Sequence, residues 1–265
     1  MQVRPAAVAG TFYPSHTGKL RPMIKGYVKA AEVKQGEGNS PKAVIAPHAG
    51  YIYSGPTAAF SFARLASEAS LIRRIVLLGP PHRVPVKGLA LPGVEGFETP
   101  LGVVPVDEGL VSRISIQSQV SVSATAHAPE HSLEVELPFL QVLLGEFSIL
   151  PLLVGDTTPN EVAEVLDRVW GGVETRIVIS TDLSHYHGYS FARHIDQQTA
   201  DQIVDLQAAI SPRQACGAAA VNGFLVAARR RGLSSELLDL RNSGDTAGDK
   251  SQVVGYGAFA FHEWE

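Results

Sequence analysis

KAVIAPHAGYIY, residues Lys42–Tyr53, opens on a short apolar run, Lys42–Ala46, which Pro47 ends and His48 follows. Continuous apolar runs of about five residues suit strands that are covered on both faces. The pattern returns twice. RIVLLGPPH (Arg74–His82) runs into Gly79, two prolines and His82, and RIVISTDLSH (Arg176–His185) runs into Thr181, Asp182 and His185. Further strands are expected at Ile149–Val154, Glu236–Leu240 and Val253–Phe261.

Helical patterns lie between the runs. Thr158-Pro159-Asn160-Glu161 has a Thr cap, a Pro at the first helical position and a Glu three residues after the cap. Ser211-Pro212-Arg213-Gln214 repeats the device before an Ala-rich stretch that reads as helix to about Arg230. Leu133, Leu137, Leu140 and Leu144 share a helical face that Pro138 should kink or delimit, and helices are expected near Pro56–Ala66 and Tyr189–Ala209. Strand-helix alternation predicts an α/β/α sandwich around a mostly parallel or mixed sheet, in one domain spanning residues 1–265. The Gly- and Pro-rich segment Val86–Pro105 reads as a hairpin at one sheet edge, and Lys34–Pro41 as a surface loop.

Composition narrows the function classes. Of the 265 residues 45% are apolar and 18% charged, which is globular and not disordered. The balance of 22 basic to 26 acidic residues, net −4, argues against a nucleic-acid binder, which normally shows a basic stripe. No stretch approaches the roughly 18 apolar residues of a membrane span, and the first residues lack the apolar core of a signal peptide, so a cytoplasmic protein is expected. One cysteine, Cys216, forbids an internal disulfide and a Cys-based zinc site; it reads as part of the Ala-rich helix, away from the chemistry. Nine histidines remain, so any metal would be held by His and carboxylates.

In open α/β sheets ligands bind beyond the carboxyl ends of the strands. His48, His82 and His185 each follow a different strand there. Two His and a carboxylate with open positions form the facial triad of non-haem Fe(II) oxygenases, and a further His suits an acid or base. His48 and His82 are the candidate ligands and His185 the candidate proton carrier. Asp182 fits a ligand, a partner that orients an imidazole, or a helix cap. Two more segments are dense in polar groups. Glu130-His131-Ser132 with Glu134 opens a helix, where Ser132 suits the cap and His131 and Glu134 would line a pocket. Asn242–Asp249 follows the Glu236–Leu240 strand on a Gly-flexible loop and makes Asp245 the candidate for the missing carboxylate.

VRPAAVAGTFYP (Val3–Pro14), IAPHAGYIYSGPTAA (Ile45–Ala59), LLGPPH (Leu77–His82), EHSLEVELPFL (Glu130–Leu140), STDLSHY (Ser180–Tyr186) and NSGDTAGD (Asn242–Asp249) together resemble the Memo family, named for a mediator of cell motility, and occur in the family's order. The resemblance implies a fold similar to class III extradiol dioxygenases, which cleave catechol rings with Fe(II). It implies that His48 and His82 are metal ligands and His185 the catalytic acid or base; His131, from its place at the helix start, is a second catalytic candidate. The third ligand is a Glu in the dioxygenases and a Cys in animal Memo proteins. Here Thr246 falls at that place, with Asp245 adjacent, so the chain departs from both.

Three functions follow as expectations. The first is a non-haem Fe(II) redox enzyme acting on a small molecule. The second is a metallohydrolase on the same residues with Zn, Cu also suiting the donors. The third is a non-catalytic module that binds a peptide or protein in a signalling or modification pathway; the resemblance implies radical-SAM proteins among such partners. Tyr51, Tyr53 and Tyr186, with Asp182, Glu134 and Thr246, are the candidate substrate contacts.

Overall fold

The computed structural model describes residues 2–35 and 40–263. Its strands are β1 (Val3–Arg4), β2 (Ala43–Ala46), β3 (Arg74–Gly79), β4 (Leu89–Leu91), β5 (Gly96–Thr99), β6 (Gly102–Pro105), β7 (Val120–Val122), β8 (Ser148–Val154), β9 (Thr175–Ser180), β10 (His185–His187), β11 (Ser234–Asn242) and β12 (Val253–His262). Its helices are α1 (Thr17–Gln35), α2 (Tyr51–Leu65), α3 (Glu108–Ile114), α4 (Ala124–His127), α5 (Leu137–Leu143), α6 (Pro159–Val169), α7 (Tyr189–Val204) and α8 (Ala218–Arg230).

The main sheet runs β10-β12-β2-β9-β3-β8-β4-β7, with β11 also on β12. Its centre is parallel: β2 pairs β9, β9 pairs β3, and β3 pairs β8. Antiparallel joints at β12–β2 and β4–β8 make it mixed. Side chains alternate across the pleat, as a two-residue period demands. Ile45, Val76, Leu78, Ile177 and Ile179 pack under α6 and α8 with Leu166 and Phe224. Val44, Ile75, Leu77 and Val178 pack on the opposite face with Leu20, Phe62 and Phe139 of α1, α2 and α5. The result is an α/β sandwich with helices over both faces.

The Thr158 capping box forms as its sequence demands, with Thr158 and Glu161 satisfying each other's backbone N–H. Pro138 lies in the first turn of α5 and delimits it. Three boundaries differ from the sequence expectation. Helix α2 begins at Tyr51, ahead of Pro56, because the Gly50 carbonyl already accepts from Tyr53 and Ser54. At Ser211 the Gln214 carboxamide takes the Ser211 N–H and hydroxyl, yet the helix waits until Ala218. Gly217 explains the delay: its N–H donates to Thr181 Oγ at 2.8 Å, and a Cβ there would lie 2.7 Å from Thr181 Cβ. The chain is therefore pressed onto the end of β9 before α8 starts. The Val86–Pro105 segment divides: Leu89–Leu91 joins the main sheet, while β5 and β6 form a hairpin that pairs with β1 in a separate small sheet. Residues 36–39 of the expected surface loop lie outside the described residues.

Candidate metal centre

Adjacent parallel strands bring the first pieces together. Ala46 at the end of β2 registers with Ser180 at the end of β9, and the Thr181 N–H donates to the Ala46 carbonyl at 2.9 Å. Asp182 then reaches back and accepts the His48 N–H at 2.8 Å. His48 Nδ1 lies 2.6 Å from Ser180 Oγ, which also meets the Ser132 carbonyl at 2.6 Å and Glu136 Oε1 at 2.8 Å. Ser180 has one proton, and a carbonyl can only accept. Burial holds the Glu136 carboxyl well above its usual range. With the Ser180 proton on the Ser132 carbonyl, His48 Nδ1 donates to Ser180 Oγ, which leaves Nε2 with the lone pair.

His82 is built from the next strand. At the end of β3, Gly79 lets the Ser132 segment close in: a Cβ there would lie 2.9 Å from Ser132 Oγ. Ser132 Oγ donates to the Pro80 carbonyl at 2.8 Å. This docking sets the Glu130 carboxylate beside His82, whose Nδ1 is 2.9 Å from Oε1 and whose backbone N–H donates to Oε2. The His131 and Ser132 N–H groups also donate to Oε1. Burial alone would raise the Glu130 pKa, but the His82 ring and these N–H groups outweigh it and hold the carboxyl near 2. A carboxylate on one imidazole nitrogen fixes the tautomer and leaves the other free to ligate.

His48, His82 and His131 converge. Ring centroids are 5.1 Å apart for His48–His82, 5.5 Å for His48–His131 and 4.6 Å for the stacked His82–His131 pair. Each offers one nitrogen, and the three lie within 4.8 Å of one another. Burial pushes His48 well below its ordinary pKa and brings His131 down to about 4, with the neighbouring cationic forms of His and Arg83 adding to it. Both are neutral imidazoles at pH 7, the form that ligates a metal. His131 Nδ1 lies 3.2 Å from Glu130 Oε1 without the alignment of a hydrogen bond, and is buried with no hydrogen-bond partner. An orphaned imidazole nitrogen within a neutral nitrogen set fits a transition metal.

The trio opens into a cavity of about 380 Å³, also lined by Asp182, His185, Tyr186, Phe12 and Arg83. His185 is half-buried, and burial lowers its pKa. Tyr186 is 70% exposed and holds a left-handed backbone, φ 60°, where β10 shifts register against β12. Phe12 lies against the His131 ring, with centroids 4.6 Å apart. Asp182 is buried, which raises its carboxyl to about 7 although the His48 and Ala49 N–H groups pull it down. Its carboxyl thus accepts from the backbone of the His48 loop and steadies it, while the residue also lines the cavity.

The other candidate residues lie elsewhere. Asp245 and Asn242 cap a short 3-10 turn; Asp245 accepts from Tyr189 Oη at 2.5 Å and from the Asn242 N–H at 3.0 Å. It lines a separate cavity with Arg193 and Asp196, so the structure does not bring it to the histidines. Thr246 Oγ donates to the Ser243 carbonyl. Tyr51 is buried, its hydroxyl on the Val135 carbonyl at 2.7 Å. Glu134 is buried and accepts from Arg4, Tyr13 and the Ala7 and Val8 N–H groups, which ties down the N-terminal segment. Tyr53 is exposed and, with Tyr51 and Glu134, stays outside the cavity lining.

Cys216 reverses its expectation. It precedes α8, and Sγ lies 3.4 Å from His48 Nε2. Burial, with the Asp182 charge, raises its thiol to about 12, so it is an S–H beside the ring and not a thiolate. Sequence reading also missed Glu130 as the group that orients His82, Ser180 as its counterpart for His48, and Arg83. No spacing in the sequence marks the first two, because tertiary docking of separate segments brings each to its histidine.

A Memo-like protein family model matches residues 4–260. The chain is 38% identical to a MEMO1 family protein of Aquifex aeolicus over 272 residues, covering 97% of this chain and 98% of the relative. It is 34% identical to a MEMO1 family protein of Nitrosopumilus maritimus over 278 residues, 98% of this chain and 99% of the relative. The crystal structure of the Escherichia coli K12 protein JW3007 superposes with a TM-score of 0.54 over 81% of this chain and 98% of that one; at 13% identity the likeness is one of fold. A near full-length match in both directions leaves one assignment: the chain belongs to the Memo-like family.

Proposed function

We propose that His48, His82 and His131 hold one transition-metal ion, and that the chain is a metal-dependent redox enzyme of the Fe(II) dioxygenase-like kind acting on a small molecule. The observation that carries this reading is the convergence of neutral imidazoles on a cavity, one of them with a buried nitrogen that makes no hydrogen bond. Imidazole suits Fe, Zn, Cu and Ni. When bound, such an ion supplies a Lewis acid and, as Fe(II), an electron couple. The protein's own residues do the rest. Glu130 orients His82 and Ser180 orients His48, whose Nε2 also has the Cys216 thiol 3.4 Å away. His185 holds one ring nitrogen against the Leu183 carbonyl, which leaves the other to accept a substrate proton.

The test is metal analysis of protein purified without added metal, followed by anaerobic Fe(II) titration and oxygen uptake with catechols. A single ion bound, lost in the His48→Ala/His82→Ala double variant, is the expected result. His185→Ala should keep the metal and lose turnover. Wild type that binds no Fe(II) overturns the redox reading. A second reading, zinc hydrolysis, is favoured by the donor set: among the described residues the cluster is three nitrogens without a carboxylate, a set used by catalytic zinc. Co-purified Zn, with no oxygen uptake after Fe(II) loading, selects it.

A further inference from the structure

We propose that Arg83 makes this cavity selective for aromatic anions, taking a substrate carboxylate at the mouth while Phe12 and Tyr186 flank the ring. The proposal deepens the metal-enzyme reading by naming the substrate class of the same site.

Arg83 lines the cavity, is exposed, and makes no ion pair or hydrogen bond among the described residues. The two carboxylates nearest the histidines are already committed. Glu130 holds His82 and the His131 and Ser132 N–H groups, and Asp182 holds the His48 and Ala49 N–H groups. The guanidinium is thus an uncompensated, always-charged fork beside neutral imidazoles, the geometry that recognises a carboxylate through two parallel hydrogen bonds.

The walls select a flat ring. Phe12 is fixed against His131. Tyr186, which also lines the cavity, keeps its large side chain 70% exposed on a left-handed backbone, φ 60°, which a non-glycine residue adopts only under strain. Pairing of β10 with β12 holds it there. Strain that presents an exposed aromatic at a cavity mouth is explained if the ring meets a ligand. Arg83 also follows His82 directly in the chain, so the anion and the group facing the histidines sit within one small molecule, as a cavity of about 380 Å³ requires.

The probe is benzoate against benzamide, its uncharged near-isostere, titrated calorimetrically into wild type, R83Q, R83K and Y186A, each in metal-free and metal-loaded form. Wild type should prefer benzoate roughly tenfold or more in both forms, since a charge-assisted pair is worth about that factor. R83Q should abolish the preference, R83K should restore part of it, and Y186A should weaken both ligands alike. Equal binding in wild type, undetectable benzoate binding, or a preference that survives R83Q overturns the proposal. Metal loading with no preference sinks this inference alone. A preference in a protein that takes up no metal sinks the metal reading and leaves this one standing.

Discussion

Glu130 concentrates several functions in one carboxylate. It accepts from the His82 ring and from three backbone N–H groups, and the Arg4 guanidinium donates to its carbonyl. Glu130→Gln keeps the size but replaces one acceptor oxygen with a donor that must face N–H groups. Metal affinity is expected to fall about 10- to 100-fold, read by competitive chelator titration, while the fold is retained. A second prediction concerns His127, which is buried with Nε2 donating to the Ala90 carbonyl at 2.8 Å. Burial lowers its pKa from 6.5 to about 4. The unfolded chain takes up a proton near 6.5 that the folded chain refuses until about 4. Stability is therefore full above 6.5 and declines by about 1.4 kcal/mol per pH unit per such group as the pH falls through that window. His127→Gln, which can keep the hydrogen bond to Ala90 and cannot titrate, should flatten this part of the curve in denaturant melts at pH 4 to 7. An unchanged slope would place the acid sensitivity elsewhere.

Elements were legible where packing agrees with local pattern. The runs Lys42–Ala46, Arg74–Leu78 and Arg176–Ser180 are apolar because both sheet faces are covered, so their ends, and His48, His82 and His185, could be located. Helix α1 was missed although Leu20, Ile24, Val28 and Ala31 are all buried along it, because Pro22 and its polar residues mask the stripe. The position of Asp245 was not legible: the turn between β11 and β12 ties it to Asn242 and Tyr189, and hydrogen bonds inside a loop leave no trace in sequence spacing. The place of Cys216 depends on α8 starting late, which only the contact of Gly217 with Thr181 decides. His131 joins the trio only because Gly79 admits Ser132 against β3. The α6–α8 crossing offers a test at this scale. Gly223 lies where a Cβ would come within 2.2 Å of Val162 Cβ, so Gly223→Ala must push the helices apart. A loss of about 1–3 kcal/mol or more is expected in chemical denaturation, against any gain in helix propensity.

The molecule as a whole is clamped at its N-terminal segment. Arg4 and Glu134 form a buried pair at 2.7 Å, side chains 4% and 0% exposed. Tyr13 donates to the same carboxylate at 2.6 Å, and Tyr51 N–H donates to the Phe12 carbonyl at 2.8 Å. Arg4→Met leaves the Glu134 charge buried without its cation, which costs about 3–5 kcal/mol. Because Phe12 hangs from this segment, the variant should also weaken metal retention; a stable variant with wild-type metal affinity would show that the clamp and the cavity are independent.

The order of the strands sets a further consequence, one of timing. Strand β2, which carries His48, is flanked by β9 and β12, so its partners emerge from the ribosome long after it does. His131 and the β9 end that supports His48 arrive later still than His82, and β12 closes the sheet last. Contacts of such sequence separation form slowly and late. A nascent chain therefore carries its histidines apart for most of its synthesis, and the trio converges only once the late strands have closed the sheet.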